Sequence, residues 1–372
     1  MKRNALTAER RPPSGSATIG GVSVSNPILD SDVDGTVLLP SARQADELRL
    51  GHTIVSLPRF ARWYRGAFKS GAGPSLSPVR QALSRVGYYA LGALVQRPQL
   101  GVATLDVRGE SRTLRFDCRN RQFSSLYFAK YATAYEPPVT ACLLTLLPLD
   151  GVFYDVGSNW GYFSLLAARR REFRGEVHAF EPWAPSYANL TAMVQQTGLG
   201  QIIRTHACAL AAESGEARMT SGRHSGLARL AAGGPGTAVA KRRLDDLDLP
   251  RPDFIKLDVE GFELDVLRGG ERTIREGRPV IALESSLRDA GSPTEAVLRL
   301  LESWGYRLFI PAICPANVGE RPEAEPPLST ERLPDGAWRL ALHPVTSRTR
   351  ALHQEYANIL AVSEERWARL AT

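Results

Sequence analysis

Val152-Phe153-Tyr154-Asp155-Val156-Gly157-Ser158-Asn159-Trp160-Gly161-Tyr162-Phe163-Ser164 reads as a buried strand that breaks into a glycine-containing turn and then opens an apolar helix. Apolar residues carry the chain into the sheet and Asp155 ends the strand. Gly157 and Gly161 let the backbone approach a ligand where a Cβ would collide. A nucleotide-like cofactor belongs at such a turn.

Glu176-Val177-His178-Ala179-Phe180-Glu181-Pro182 is a second short apolar strand ending in a carboxylate. An acid about 20 residues beyond a glycine turn takes ribose hydroxyls. Pro182 supports the boundary, because it has no amide proton for a sheet and disfavours helix in the residue before it. Dinucleotide sites show Gly-x-Gly-x-x-Gly, but here the pattern is Asp-x-Gly-x-x-x-Gly, with Asn159 in place of the middle glycine. An acid before the turn suits a ligand carrying an ammonium group better than a pyrophosphate. S-adenosylmethionine has that ammonium and a ribose as well. The expected cofactor-binding residues are Asp155, Gly157, Asn159, Gly161, Glu181 and Trp183, the last for adenine contact. An ordinary strand-to-helix turn is the competing reading.

The chain has 372 residues, 43% hydrophobic and 23% charged, as in a globular protein with a large core. No apolar run reaches the roughly 20 residues that span a bilayer. Val86 to Val95 and Val139 to Leu149 read as buried helices. Met1 to Pro13 is basic but no apolar stretch follows, so no secretory signal is visible and the cytoplasm is expected. Cys118, Cys142, Cys208 and Cys314 are too scattered for a metal knuckle or a disulfide framework and read as reduced thiols. The net charge of +7 comes mostly from dispersed arginines. The densest run, Arg169-Arg170-Arg171, falls at the expected end of a helix, where cations complement the dipole. Nucleic acid is therefore an unlikely partner.

Residues 1–45, rich in Ser, Pro, Gly, Asp and Arg, read as a poorly ordered leader. Residues 46–134 read as an extension of helices and one β-hairpin. Apolar spacing from Ala42 to Arg97 is helical, and 102–109 and 113–117 alternate around a Gly109-Glu110 turn. Residues 135–372 form the main domain. Strands are expected near 152–156, 176–181, 202–207, 253–258, 279–284, 305–310 and 356–362, and their alternation with helices implies a parallel sheet covered on both faces. The last strand has room to run antiparallel after a Pro-rich insertion at 311–350, and an insertion of that length often reaches over a site.

Asp253-Phe254-Ile255-Lys256-Leu257-Asp258-Val259-Glu260-Gly261 brings two more acids to the carboxyl edge, where open α/β sheets bind ligands. Lys256 and Asp258 share a face by the strand period, so Lys256 would hold Asp258 charged. These stretches resemble the FkbM family of S-adenosylmethionine-dependent methyltransferases. The resemblance rests on Asp155-Val-Gly-Ser-Asn-Trp-Gly161, on Phe180-Glu181-Pro182, and most specifically on Ile255-Lys-Leu-Asp-Val-Glu-Gly-Phe-Glu263. It runs from about Tyr135 to Glu284, with a weaker echo at Asn358-Ile-Leu-Ala-Val362. It implies an α/β class I methyltransferase fold, Rossmann-like, with seven mostly parallel strands in the order 3-2-1-4-5-7-6. It also implies O-methylation of a hydroxyl on a sugar or secondary metabolite. Family members often have Ala where this chain has Ser158 and His where it has Phe262, so any catalytic part played by that His is absent here.

A hydroxyl attacking a sulfonium methyl needs something to take its proton. Asp258, Glu260 and Glu284 are the candidate catalytic groups, with His224 as a further possibility. The three acids would suit Mg²⁺, but charge-paired structural acids are the favoured reading and no metal is expected. His206 reads as a core or rim residue, and Trp160, Tyr162 and Phe163 as packing between helix and sheet. A non-catalytic module that keeps the fold and binds a partner through its N-terminal helices is the alternative function, and nucleic-acid methylation, which rests on the basic charge alone, is a third reading.

Overall fold

A computed structural model describes residues 37–39, 43–64, 86–87, 97–128, 131, 134–220, 229–231, 236–286, 294–315, 337–350 and 356–370. Two short strands come first, β1 (Val37–Leu38) and β2 (Arg43–Gln44). Next come β3 (His52–Ser56), helix α1 (Arg59–Tyr64), β4 (Leu100–Val107) and β5 (Glu110–Asp117). β3, β4 and β5 make a small antiparallel sheet. The expected hairpin is present, with its turn at Arg108-Gly109, both left-handed at φ +57° and +87°. Such two-residue turns match the twist of the flanking strands. β3 replaces part of the helix expected from Ala42 to Arg97, because β-branched Thr53, Ile54 and Val55 favour a pleated edge. Residues 65–85 of that stretch lie outside the described residues.

Helices α2 (Ser124–Tyr127) and α3 (Pro137–Leu146) lead into the main sheet. Nine of the ten residues of α3 are buried, which accounts for its apolar run, and Pro137 starts it where a missing amide proton costs nothing. Then follow β6 (Val152–Val156), α4 (Tyr162–Ala168), β7 (Glu176–Phe180), α5 (Ala184–Thr197) and β8 (Ile203–His206). A second small sheet is built from β9 (Ala209–Leu210), β10 (Gly215–Thr220), β11 (Arg229–Ala231) and β12 (Thr237–Arg242). The chain returns through β13 (Phe254–Leu257), α6 (Glu263–Gly269), α7 (Glu271–Gly277), β14 (Val280–Ser286) and α8 (Thr294–Ser303). It continues as β15 (Tyr306–Pro315), β16 (Ala337–Val345), β17 (Tyr356–Ser363) and α9 (Glu364–Leu370).

The main sheet runs β1-β16-β15-β17-β14-β13-β6-β7-β8, with β2 also on β16. From β8 to β14 all neighbours are parallel, and β17 lies antiparallel between β14 and β15. Read from β8 to β15, these strands have the order 3-2-1-4-5-7-6. The sheet has ten strands rather than seven. The extra ones come from two stretches read differently in the sequence. Residues 337–345 of the expected insertion form β16, whose Trp338, Leu340 and Leu342 are at most 1% exposed. Val37–Leu38 and Arg43–Gln44 of the expected leader pair with that strand. The 311–350 stretch thus widens the sheet at the edge remote from β6, and residues 316–336 lie outside the described residues.

The small N-terminal sheet is tied to the end of α4. The Arg108 amide donates to the Arg169 carbonyl at 2.8 Å, and its guanidinium donates to the carbonyls of Phe173 at 2.9 Å and Arg171 at 3.2 Å. Carbonyls left over at a helix end need such donors. Arg169 in turn donates to the Arg49 carbonyl at 2.6 Å. The arginine run read as a solvated helix end therefore includes a docking residue. Arg108→Ala should lower stability by about 1–3 kcal/mol, the range for charge-assisted bonds to buried carbonyls. A urea midpoint equal to the parent's would show that this turn holds nothing.

Candidate functional site

The turn after β6 has three left-handed residues, Gly157 at φ +79°, Asn159 at +52° and Gly161 at +92°. A Cβ on Gly157 would lie 1.9 Å from the Asp258 carbonyl oxygen, so only glycine fits there. Asn tolerates the left-handed region better than most side chains. Asp155 is 1% exposed. Its Oδ2 accepts from the Ser164 amide at 3.0 Å and the Ser164 hydroxyl at 2.6 Å, which fixes the start of α4 against the strand. Its Oδ1 is buried and has no hydrogen-bond partner. Burial raises the Asp155 pKa, against the pull of Lys256 and Ser164.

Glu181 stands at the end of β7. Its Oε2 accepts from the Asn159 amide at 2.9 Å and its Oε1 from the Trp183 amide at 2.8 Å. Both oxygens are thus aimed by backbone, and burial still raises the group to about 7 despite those two bonds. The Trp183 side chain is not where the sequence placed it. It packs against Met219 and Val239 of the small β9–β12 sheet and does not line the cavity described below, because its backbone turns to serve Glu181 and start α5.

Lys256 is 5% exposed and its Nζ donates to Asp258 Oδ2 at 2.9 Å, as the strand period implies. It also lies 4.8 Å over the Phe163 ring. Burial alone would lower its pKa, but Asp258, Glu136 and Asp155 around it push it up. Glu284 ends up high, at about 8, through burial first and then the charges of Asp258, Glu136 and Glu260. Glu136 is raised too, by burial and Asp258 against the pull of Lys256. Glu136 sits at φ +44° just before α3. Pro137 disfavours helical backbone in the residue before it.

These groups share one cavity of about 280 Å³. Asp155, Gly157 and Asn159 line it from β6 and the turn after it, Glu181 from the end of β7, and Asp258, Glu260 and Glu284 from the carboxyl ends of β13 and β14. Gly161 caps α4 just behind, where a Cβ would press on Leu190 at 2.7 Å. Glu260 reaches the rim from a left-handed position at φ +52°. Trp160, Tyr162 and Phe163 both pack and line the wall: Trp160 lies 5.2 Å from Phe123, and the Tyr162 hydroxyl accepts from the Tyr135 amide at 3.3 Å. Sequence reasoning missed Gln122, Tyr135 and Glu136, contributed from before β6, and Cys208 and Met219 beyond β8. For Glu136 the sequence holds a signal, an acid directly before Pro137-Pro138 at the start of a helix. His206 stays off the cavity, stacked 4.5 Å from Phe180 and pushed down to about 4 by burial and His178. His224 lies outside the described residues. Among the described residues no group of three or more His, Cys, Asp or Glu is arranged to hold a metal ion, and no helix is long and apolar enough to cross a membrane.

Residues 152–308 match the family model of the methyltransferase FkbM domain. That stretch is similar to a methyltransferase FkbM domain and makes up less than half of the chain. The stretch runs from β6 into β15 and contains all of the donor turn and both acid-bearing strands. No curated protein matches the chain. Among solved structures, an FkbM methyltransferase from Methylobacillus flagellatus KT is similar at 19% identity, over 52% of this chain and 44% of that one, with a TM-score of 0.35. This chain thus spans less than half of that protein. A precorrin-6y C5,15-methyltransferase from Geobacter metallireducens GS-15 matches at 17% identity, over 55% and 84% of the two chains, at 0.32. A SAM-dependent O-methyltransferase from Thermotoga maritima matches at 12%, over 65% and 77%, at 0.32. The fold is α/β, and the order of the strands from β8 to β15 is like that of the class I methyltransferases.

The raised Glu284 pKa makes a signed prediction. The folded protein holds this proton more tightly than the unfolded chain, so the group's contribution to stability is full below the ordinary value of 4.5 and is lost as pH rises through about 8. Glu284→Gln should match the parent's melting temperature near pH 5 and exceed it near pH 9. The same offset at both pH values would mean that Glu284 is not held in its neutral form.

Proposed function

We propose that this protein uses S-adenosylmethionine to methylate a hydroxyl of a sugar or secondary metabolite. The observation that carries this reading is the pairing of two differently prepared carboxylates on one cavity. Glu181 has both oxygens aimed by backbone amides, leaving lone pairs for a ribose diol. Asp155 has one buried oxygen without a donor, which an ammonium group would supply. Gly157 lets the turn after β6 lie directly against Asp258, and Cys208, Ala209 and Met219 form the wall past Glu181 where a flat base would rest in place of contact with Trp183.

Bound there, S-adenosylmethionine supplies an electrophilic methyl group whose bond to sulfur breaks, with its electron pair going to sulfur, as the acceptor oxygen bonds the carbon. The protein's own part is to orient the hydroxyl, keep water out and receive the proton. Asp258 is the proton acceptor in this reading. It stands at the carboxyl end of β13, beside the donor turn, and Lys256 holds its Oδ2. Its other oxygen remains for the substrate. Glu260 and Glu284 flank it on the same wall.

Two measurements test the reading. Asp155→Ala and Glu181→Ala should each weaken S-adenosylhomocysteine binding by about 100-fold in calorimetry, the loss expected of a charge-assisted contact; unchanged affinity in both would rule out this donor. Asp258→Asn should keep that affinity and lower turnover by about 100-fold, the usual scale of general-base catalysis. Turnover at the parent's rate would remove Asp258 from the chemistry. If the parent transferred no methyl group to any member of a hydroxylated acceptor panel, the chain would be a binding module on a methyltransferase frame.

A further inference from the structure

The wall beyond the donor turn is more acidic than a neutral hydroxyl requires. Behind the main cavity lies a recess of about 10 Å³ between β13, β14 and the start of α3. Glu136, Asp258, Glu284 and Asn358 surround it, Val139 and Leu283 add an apolar floor, and Lys256 borders it. Asn358 stands opposite Glu284 in the β14–β17 ladder, so the two side chains lie on the same face of the sheet. It belongs to the Asn358–Val362 echo for which the donor chemistry has no use.

Charge and size narrow the occupant. Around the recess three carboxylates face one ammonium, and Lys256 already lies 2.9 Å from Asp258. Glu136 and Glu284 are left without a cationic partner of their own, and one more cation beside them can take the place of the proton that burial makes them hold. Burial and neighbouring carboxylates hold Glu284 at about 8, a tension that a bound cation relieves as well as a proton does. The adjoining cavity wall carries a further unmet demand for a donor, since Asp155 is 1% exposed and its Oδ1 has no partner. The donor's amine answers only that oxygen. A volume of this size admits one water-sized group. A primary ammonium fits it and offers three donors, whereas a trimethylammonium or guanidinium group is too large.

We propose that this recess seats a primary ammonium group of the acceptor, so that the hydroxyl methylated belongs to an amino-bearing compound such as an amino sugar. The inference rests on the methyltransferase reading above and names its substrate class. With the ammonium fixed against Glu136 and Glu284, the neighbouring hydroxyl of a vicinal amino alcohol is directed toward Asp258.

Calorimetry with S-adenosylhomocysteine, done first, decides the donor reading by itself. Glucosamine, 2-aminoethanol, glucose and glucuronic acid are then titrated separately into the full chain, with S-adenosylhomocysteine present and, as a second series, absent. Glucosamine should bind at least about tenfold tighter than glucose, as a charge-assisted contact implies. Glucuronic acid should not bind. Glu284→Gln and Asn358→Leu should each erase the glucosamine advantage while leaving S-adenosylhomocysteine affinity unchanged. Equal binding of glucose and glucosamine, preference for glucuronic acid, no binding by either amine, or an advantage that survives both substitutions would each overturn the proposal. A potassium-induced rise in melting temperature without amine binding would do so too, by making the recess an inorganic-ion site.

Discussion

The contact between Gly157 and the Asp258 carbonyl is the constraint on which the site depends. The two backbones approach so closely that a single methyl group on Gly157 would meet the carbonyl oxygen at 1.9 Å. The Asp258 amide also donates to the Val156 carbonyl at 3.0 Å, so the parallel ladder between β6 and β13 continues to the last residue of each strand. Parallel strands present their carboxyl ends at one edge, and here the two central ones open there with almost nothing between them. The turn after β6 and the acid-bearing β13 consequently face one cavity.

That closeness has an electrostatic consequence. Asp155, Glu136, Asp258 and Glu284 crowd the edge, and charges taken out of water are costly unless compensated. Lys256 offsets part of this from beneath, with Asp258 at 2.9 Å and the Phe163 face at 4.8 Å. One ammonium does not neutralise four carboxylates. The remainder shows in the raised pKa values of Asp155, Glu136 and Glu284. Glu181 reaches about 7 mainly by burial, although two amides already serve it. The excess of carboxyls over cations at this edge is thus met in part by protons held on the acids themselves.

Much of the frame was legible from the sequence. Strands β6, β7, β13 and β14 fall where short apolar runs end in an acid or at a glycine, because strand length and turn chemistry are local properties. The Lys256–Asp258 pair follows from a two-residue period alone. β16 was hidden because the prolines around it suggest a loop, although Trp338, Leu340 and Leu342 alternate as an inward face should. The small sheet from Ala209 to Arg242 was hidden by short strands rich in alanine and polar residues, whose pairing depends on register rather than on hydrophobic pattern. Trp183 was assigned to adenine from its position beside Glu181, but its indole found an apolar partner in Met219 on that unforeseen sheet.

By itself the amino-acid sequence determined the α/β alternation, the glycine turn, the two acid-tipped strands and the cofactor chemistry they imply, because each resides in a dozen neighbouring residues. Only the tertiary structure decided which acids share a wall. Glu136 comes from before β6, the first of the parallel strands, and Asn358 from β17, the last strand of the chain, and both line the recess beside Glu284. Nothing local links such distant positions. Their meeting is set by strand order and by the seating of α3 on the sheet, where burial and Coulomb forces then reset their protonation.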